Sequence, residues 1–210
     1  MKKYKLVLSG SGTRFPAFVG AVKRLTESGV EFSSIAGTSG GSLVGAALAS
    51  GMSVGEIEKL CIDILPNASK ILKPSFFNLL WNFGLSRGDK VEKIIRSVLK
   101  DKFRDLKIPF KSITVNYDKV SVERPYDIFC TELSLGFELT TGVRASMAIP
   151  IVFQPVIINN DRYIDGGMTS NFGLDIFGAD AEDVIGVYIS SHSKLSNNRK
   201  NGIFGLVKYL

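Results

Sequence analysis

Twice within its first fifty residues the chain passes from a short apolar run through a loop of small residues into a helical pattern. The first unit is Tyr4-Lys5-Leu6-Val7-Leu8, then Ser9-Gly10-Ser11-Gly12-Thr13, then Ala17, Phe18, Ala21, Val22 and Leu25 at helical spacing, with Pro16 in the first turn and Gly29 as the stop. The second is Phe32-Ser33-Ser34-Ile35-Ala36, then Gly37-Thr38-Ser39-Gly40-Gly41, then a small-residue helix from Ser42 to Ser50. Strand, glycine-rich loop and helix in succession specify an α/β fold with a parallel sheet.

The rest of the chain fits that frame. Ser53 and Glu56 make a capping box for a helix with Val54, Ile57, Leu60 and Cys61 on its apolar face. Residues 66–88 are irregular in pattern. An amphipathic helix follows from Asp89, with Val91, Ile94, Ile95, Val98 and Leu99 inward and Lys90, Lys93, Arg96 and Lys100 outward. Strand-like runs cover 112–117, 126–130, 151–158, 161–164 and 184–190, and 141–148 reads as a short helix ended by Pro150.

At 210 residues the chain is long enough for one domain with its own core. Cys61 and Cys130 have no metal-site spacing and are expected as buried thiols, and His192 is the single histidine. Residues 1–192 are expected as one domain, with 66–107 a variable helical insertion that is a candidate membrane-facing cap. Residues 193–210 form a polar tail and a short apolar C-terminal segment. No signal peptide or transmembrane segment is recognisable, so a cytoplasmic protein, free or peripheral at membranes, is expected. The net charge is +6, and residues 69–107 carry all of it, with ten basic and four acidic side chains. A local excess means one charged face rather than a nucleic-acid-binding surface spread over the domain. The same stretch holds Phe76, Phe77, Leu79, Leu80, Trp81 and Phe83, a combination suited to an anionic membrane surface or to a packed helical hairpin with solvated Lys and Arg.

Gly37-Thr38-Ser39-Gly40-Gly41 fits G-x-S-x-G, in which a serine nucleophile sits on a strained strand-to-helix turn. Gly51-Met52-Ser53-Val54-Gly55 fits the same pattern, but Ser53 joins two helices and reads as an N-cap. Acyl transfer by a serine also needs amides aimed at developing negative charge, which Gly10-Ser11-Gly12 can present at a helix N-terminus. A dinucleotide fingerprint there lacks its third glycine, because Phe15 takes that place. Asp165-Gly166-Gly167 ends a strand and supplies a carboxylate for base duty, although an isolated Asp-Gly-Gly is more often a turn.

Taken together, these stretches resemble the patatin-like phospholipases, serine lipid acyl hydrolases with a Ser–Asp dyad. The family's G-G-G-x-[KR]-G loop is similar to Gly10-Ser11-Gly12-Thr13-Arg14-Phe15, with Ser11 and Phe15 as departures. Its elbow is similar to 37–41, its D-G-[GA] to 165–167, and its R-A-S-x-A-I-P stretch to Arg144-Ala145-Ser146-Met147-Ala148-Ile149-Pro150, and Asn171 also fits. The resemblance runs in order over residues 5–190. It implies a three-layer α/β/α sandwich with a mostly parallel central sheet. It implies Ser39 as nucleophile and Asp165 as general base. It places the oxyanion hole at Gly10, Ser11, Gly12 and Gly40, with Arg14, Gly37, Gly41, Gly166 and Gly167 in support.

A phospholipid or other lipid acyl ester is the implied substrate, with no metal, no cofactor and no nucleic acid. Ser11 is expected to restrict the loop backbone, and Phe15 to put bulk beside the site. The alternatives are a catalytically weak lipid-binding or regulatory protein, a nucleotide-binding domain, and a triad completed by His192 in the order Ser39, Asp165, His192.

Overall fold

The computed structural model of the chain describes residues 2–64, 84–178 and 182–190. The aromatic run 76–83, His192 and the tail 193–210, on which the sequence places expectations, lie outside those residues.

Both opening units fold as their patterns require. Strand β1 (Lys3–Leu8) leads into helix α1 (Pro16–Glu27), and β2 (Glu31–Thr38) leads into α2 (Gly40–Ala49). Helix α3 (Val54–Ile64) follows. Its capping box is present: the Ser53 amide donates to Glu56 Oε2 at 2.7 Å, and the Glu56 amide donates to Ser53 Oγ at 3.3 Å. The second G-x-S-x-G match is therefore a helix cap. After β3 (Gly84–Ser86) come α4 (Asp89–Val98), β4 (Phe110–Asn116), β5 (Asp127–Cys130) and α5 (Leu139–Ser146). The chain continues through β6 (Ile151–Phe153), β7 (Val156–Ile158), β8 (Asp161–Asp165) and β9 (Val184–Val187).

The main sheet has seven strands in the order β7-β8-β4-β2-β1-β9, with β5 paired beside β8 on the same edge of β4. Strands β9, β1, β2 and β4 run parallel, β5 and β8 run against them, and β7 runs with them again. The sheet is thus mostly parallel and flanked by helices, the expected class. Leu6, Leu8, Ile35 and Phe110 point from one sheet face into a single apolar core with α1, α2 and α5. Burying each such side chain contributes about 1.5–3 kcal/mol. Ile113 points to the other face, which is covered by 3-10 turns at Gly166–Met168 and Leu174–Phe177 and by the glycines 166 and 173 against the Ile113 side chain. All ten residues of α2 are buried, and Gly45 lies so near the Phe110 ring that a Cβ there would sit 2.9 Å from it.

Two sequence expectations are corrected. Residues 151–158 do not form one strand: the run breaks at Gln154-Pro155, where proline offers no N–H to a ladder. Its first half, β6, pairs instead with β3 in a separate two-stranded sheet. Strand β3 itself falls in a stretch that reads as irregular. The described part of the basic segment is well packed: Ile95 and Leu99 of the α4 region are buried, while Lys90, Lys93, Arg96 and Lys100 are exposed. Arg96 also bridges Glu92 at 3.3 Å and Glu138 at 2.9 Å. Cys61 and Cys130 are buried free thiols, and burial pushes the Cys61 thiol up to about 11.

Candidate active site

The site is built where β2 turns into α2. Ser39 stands at the junction with φ 53° and ψ −120°, a conformation that costs a non-glycine residue about 1–3 kcal/mol. The turn is tight because it packs on β1: a Cβ at Gly41 would lie 2.5 Å from the carbonyl oxygens of both Leu8 and Ser9. Gly40 faces the β1 loop just as closely, and a Cβ there would meet Ser11 Oγ at 2.5 Å and Phe15 Cβ at 2.9 Å. Ser39 is the N-cap of α2, yet its side chain makes no capping bond, so the hydroxyl is left for other work.

The elbow is pinned from behind. The Ser39 amide donates to Ser146 Oγ at 2.9 Å, and Ser146 Oγ donates to the Ile113 carbonyl at 2.5 Å. In front lies the glycine loop after β1. The Gly10 amide, expected to face an oxyanion, instead donates to the Asn171 carbonyl at 2.8 Å. Among the described residues, no hydrogen bond engages the amides of Ser11, Gly12 or Gly40. Those three lie at the start of the β1 loop and of α2, where the helix dipole favours negative charge.

The two departures from the glycine pattern have local explanations. Ser11 has φ −146°, which any residue adopts, so its side chain does not strain the loop. The left-handed residue is Gly12, at φ 55°. Phe15 has helical angles and is buried in the core behind Gly40. Its bulk enters the interior as well as flanking the loop. Ser11 Oγ is buried with no partner among the described residues. Arg14 is exposed, and its guanidinium makes no ion pair among them.

Asp165 closes β8, with Thr114 of β4 beside it and only 4% of its surface exposed. Its amide donates to the Ala148 carbonyl at 3.0 Å, and its Oδ1 accepts from the Gly167 amide at 2.7 Å. Oδ2 has no partner at hydrogen-bond length among the described residues. Burial pushes the carboxyl up to about 6, and the Ser39 hydroxyl and the Gly167 amide partly offset that rise. The Ser39 hydroxyl is thus among the groups acting on the Asp165 carboxyl. Gly166 lies over the Ile113 backbone, Gly167 beside Asn171 Oδ1, and Thr38 Oγ1 donates to the Ser170 carbonyl at 3.2 Å. These contacts lay the 166–171 loop across the elbow.

The sequence expectation thus named residues that the fold brings to one place: Ser39, Gly40, Ser11, Gly12, Asp165 and Gly167. It gave no role to Ser146 and Ala148, which lie in the Arg144–Pro150 stretch, nor to Ile113, which no motif marks. No group of three or more His, Cys, Asp or Glu side chains suited to a metal occurs among the described residues. A cleft of about 560 Å³ lined by Lys3, Phe32, Leu48, Met52 and Ile108 lies at the opposite, N-terminal ends of β1 and β2. Ligands of parallel α/β sheets bind at the C-terminal strand ends, where Ser39 is.

A serine at a strained elbow beside a buried carboxyl, on a mostly parallel sheet, defines a class of hydrolase-like α/β proteins. Residues 6–177 match the model of the patatin-like phospholipases, and the chain belongs to that family. It is 31% identical over 198 residues to an uncharacterized protein of Acanthamoeba polyphaga mimivirus, a match covering 90% of this chain and 66% of that one. It is 30% identical over 187 residues to a probable lipid hydrolase of Invertebrate iridescent virus 6, covering 83% of this chain and 63% of that one. The chain therefore spans about two thirds of the length of these relatives. Among solved structures, VipD from Legionella pneumophila superposes with a TM-score of 0.63 at 16% identity, over 89% of this chain and 49% of VipD. That likeness is one of fold.

Proposed function

We propose that the protein is a serine lipid acyl hydrolase that cleaves ester bonds in phospholipids or other lipid acyl esters. Ser39 Oγ attacks the ester carbonyl while Asp165 accepts its proton. The carbonyl oxygen becomes an oxyanion held by the amides of Ser11, Gly12 and Gly40. Asp165 returns the proton to the departing alcohol, leaving an acyl group on Ser39. Water, deprotonated by Asp165, then releases the fatty acid and restores the serine.

The observation that carries this reading is the pairing of a strained, uncapped serine with a carboxyl that burial lifts to about 6. A carboxylate near its ordinary value is a poor base, and the rise brings it toward the working pH. Family membership and the name of the iridescent-virus relative support the lipid ester as substrate. The exposed Arg14 beside the loop suits an anionic head group. The Ser11 backbone angle removes the main reason for expecting a weak site.

A fluorophosphonate probe tests the reading. Labelling is expected on the peptide containing Ser39 and is expected to vanish in Ser39→Ala. Labelling that persists in that variant, or that maps to Ser53, would overturn it.

The substrate's interface is the second part of the proposal. Exposed Lys90, Lys93, Lys100 and Arg104 form the described part of a basic face toward an anionic lipid surface, each contributing roughly 1 kcal/mol near such a surface. Among the described residues, no helix is long and apolar enough to cross a membrane. Co-sedimentation with phosphatidylglycerol vesicles is expected, with little on phosphatidylcholine vesicles, and Lys90→Glu with Lys93→Glu should release the protein. Equal binding to both vesicle types would remove the idea.

A further inference from the structure

We propose that Ser146 is the positioning residue of the site: its hydroxyl fixes the Ser39 backbone while the end of the same helix sets Asp165. The inference rests on the reading of Ser39 as nucleophile. It explains what holds a serine at φ 53° when its own side chain makes no cap.

The Ser39 amide cannot join an intrahelical bond, because it precedes α2, and it points into the protein. Ser146 Oγ accepts from it at 2.9 Å and donates its own proton to the Ile113 carbonyl at 2.5 Å. Ser146 is fully buried, its single hydroxyl proton goes to Ile113, and one of its two lone pairs takes the Ser39 amide. Two residues on, the Ala148 carbonyl accepts from the Asp165 amide at 3.0 Å. The segment 146–148 thus touches the backbones of both the serine and the carboxylate, and Ile113 lies on β4 between their strands.

The helix that carries Ser146 is itself anchored. Arg144 is 3% exposed, donates Nη2 to the Arg87 carbonyl at 2.8 Å, and lies 4.7 Å over the Phe153 ring. Gly88 leaves room for it, at φ 82°, where any side chain would run into the guanidinium. Thr141 and Arg96 both bond Glu138 at the other end of α5. A fixed helix end is what a brace requires. The same bond also keeps the Ser39 amide out of the oxyanion hole, which leaves the three amides of Ser11, Gly12 and Gly40.

Loss of the brace should let the elbow relax and misplace Oγ, which slows chemistry without changing how the substrate binds. A misplacement of about 1 Å can cost roughly 100-fold in rate. The experiment compares Ser146→Ala and Ser146→Cys with the unmodified protein. Cys keeps the side-chain shape but is a weak acceptor, so it controls for packing. Active sites are counted by fluorophosphonate titration, and kcat is expressed per titrated site on a soluble p-nitrophenyl ester.

Both variants are expected to lose roughly 10- to 100-fold in kcat per titrated site, with KM within about twofold and the acid limb of the pH profile unmoved. A purely structural role would lower Tm and the number of titratable sites but leave kcat per site intact. That result, or full kcat per site in Ser146→Cys, overturns the proposal. Activity remaining in Ser39→Ala would instead overturn the function reading on which it rests.

Discussion

Ser39→Ala is expected to lower kcat by at least about 1,000-fold, and Asp165→Asn by roughly 100- to 10,000-fold, with KM little changed in either. The serine carries the covalent step, so its loss leaves only what the amides and binding can do. The aspartate carries the proton. Asn at 165 retains an oxygen for the Gly167 amide, which Asp165 Oδ1 bonds at 2.7 Å, so the loop is expected to stay in place. What disappears is a group able to accept a proton from Ser39. Because the two act as a unit, the double variant should be hardly slower than the worse single one. His192→Ala should leave most activity, since the dyad reading gives it no proton to move. Steady-state kinetics on a soluble ester decide the matter. If His192→Ala loses as much rate as Asp165→Asn, the dyad is overturned and the triad order Ser39, Asp165, His192 is the better reading.

Much of this architecture was legible in the chain because its signals are local. The elbow could be told from the Ser53 match by its flanks alone, strand before and small-residue helix after, and the Ser53–Glu56 bonds bear that out. The parallel order of β1 and β2 followed from the repeated strand–loop–helix unit. What escaped was non-local. Strand β3 is three residues long and pairs with β6 more than sixty residues later, so no periodicity announces it. A proline inside an apolar run marks the break between β6 and β7 only once their different partners are known.

The site shows the same division. Residue types and spacing named Ser39, Asp165 and the glycine loop. They could not show that the Gly10 amide is already committed to Asn171, because that bond spans the molecule. Nor could they show that Ser146 meets a backbone amide 107 residues away. The expected penalty at Ser11 illustrates the reverse error. A serine in place of a glycine looks restrictive until the backbone angle is known, and the left-handed position turns out to be its neighbour, Gly12.

The stability difference between Asp165→Asn and the unmodified protein is expected to grow by about 2 kcal/mol from pH 4 to pH 7.5, most of a full penalty of about 3 kcal/mol that begins below pH 4. The carboxyl ordinarily titrates at 3.8, and burial lifts it to about 6 in the fold, roughly two units or about 3 kcal/mol. The sign follows from proton counts. Between those two values the folded state holds a proton that the unfolded state has released, so stability falls as pH rises. Below 3.8 both states are protonated and the penalty is absent; above about 6 both are ionised and it is complete. Asn never ionises, so it escapes the penalty, while every other titrating group is common to both proteins and cancels. For a chain of this size the change from pH 4 to pH 7.5 is roughly 4–8 °C in the Tm difference. The absolute offset also contains the cost of an amide N–H at the place of Oδ2, which has no partner among the described residues, so the slope with pH is the quantity to read. Thermal unfolding of both proteins at pH 4, 5.5 and 7.5 measures it. A constant offset would mean that the Asp165 carboxyl is not raised. The same group ties stability to rate: kcat/KM should fall about tenfold per pH unit below about 6, because only ionised Asp165 can take the Ser39 proton. The strain of holding a charged carboxylate in a closed site and the ability to deprotonate a serine are then two readings of one pKa. A variant that relieves the first is expected to lose the second.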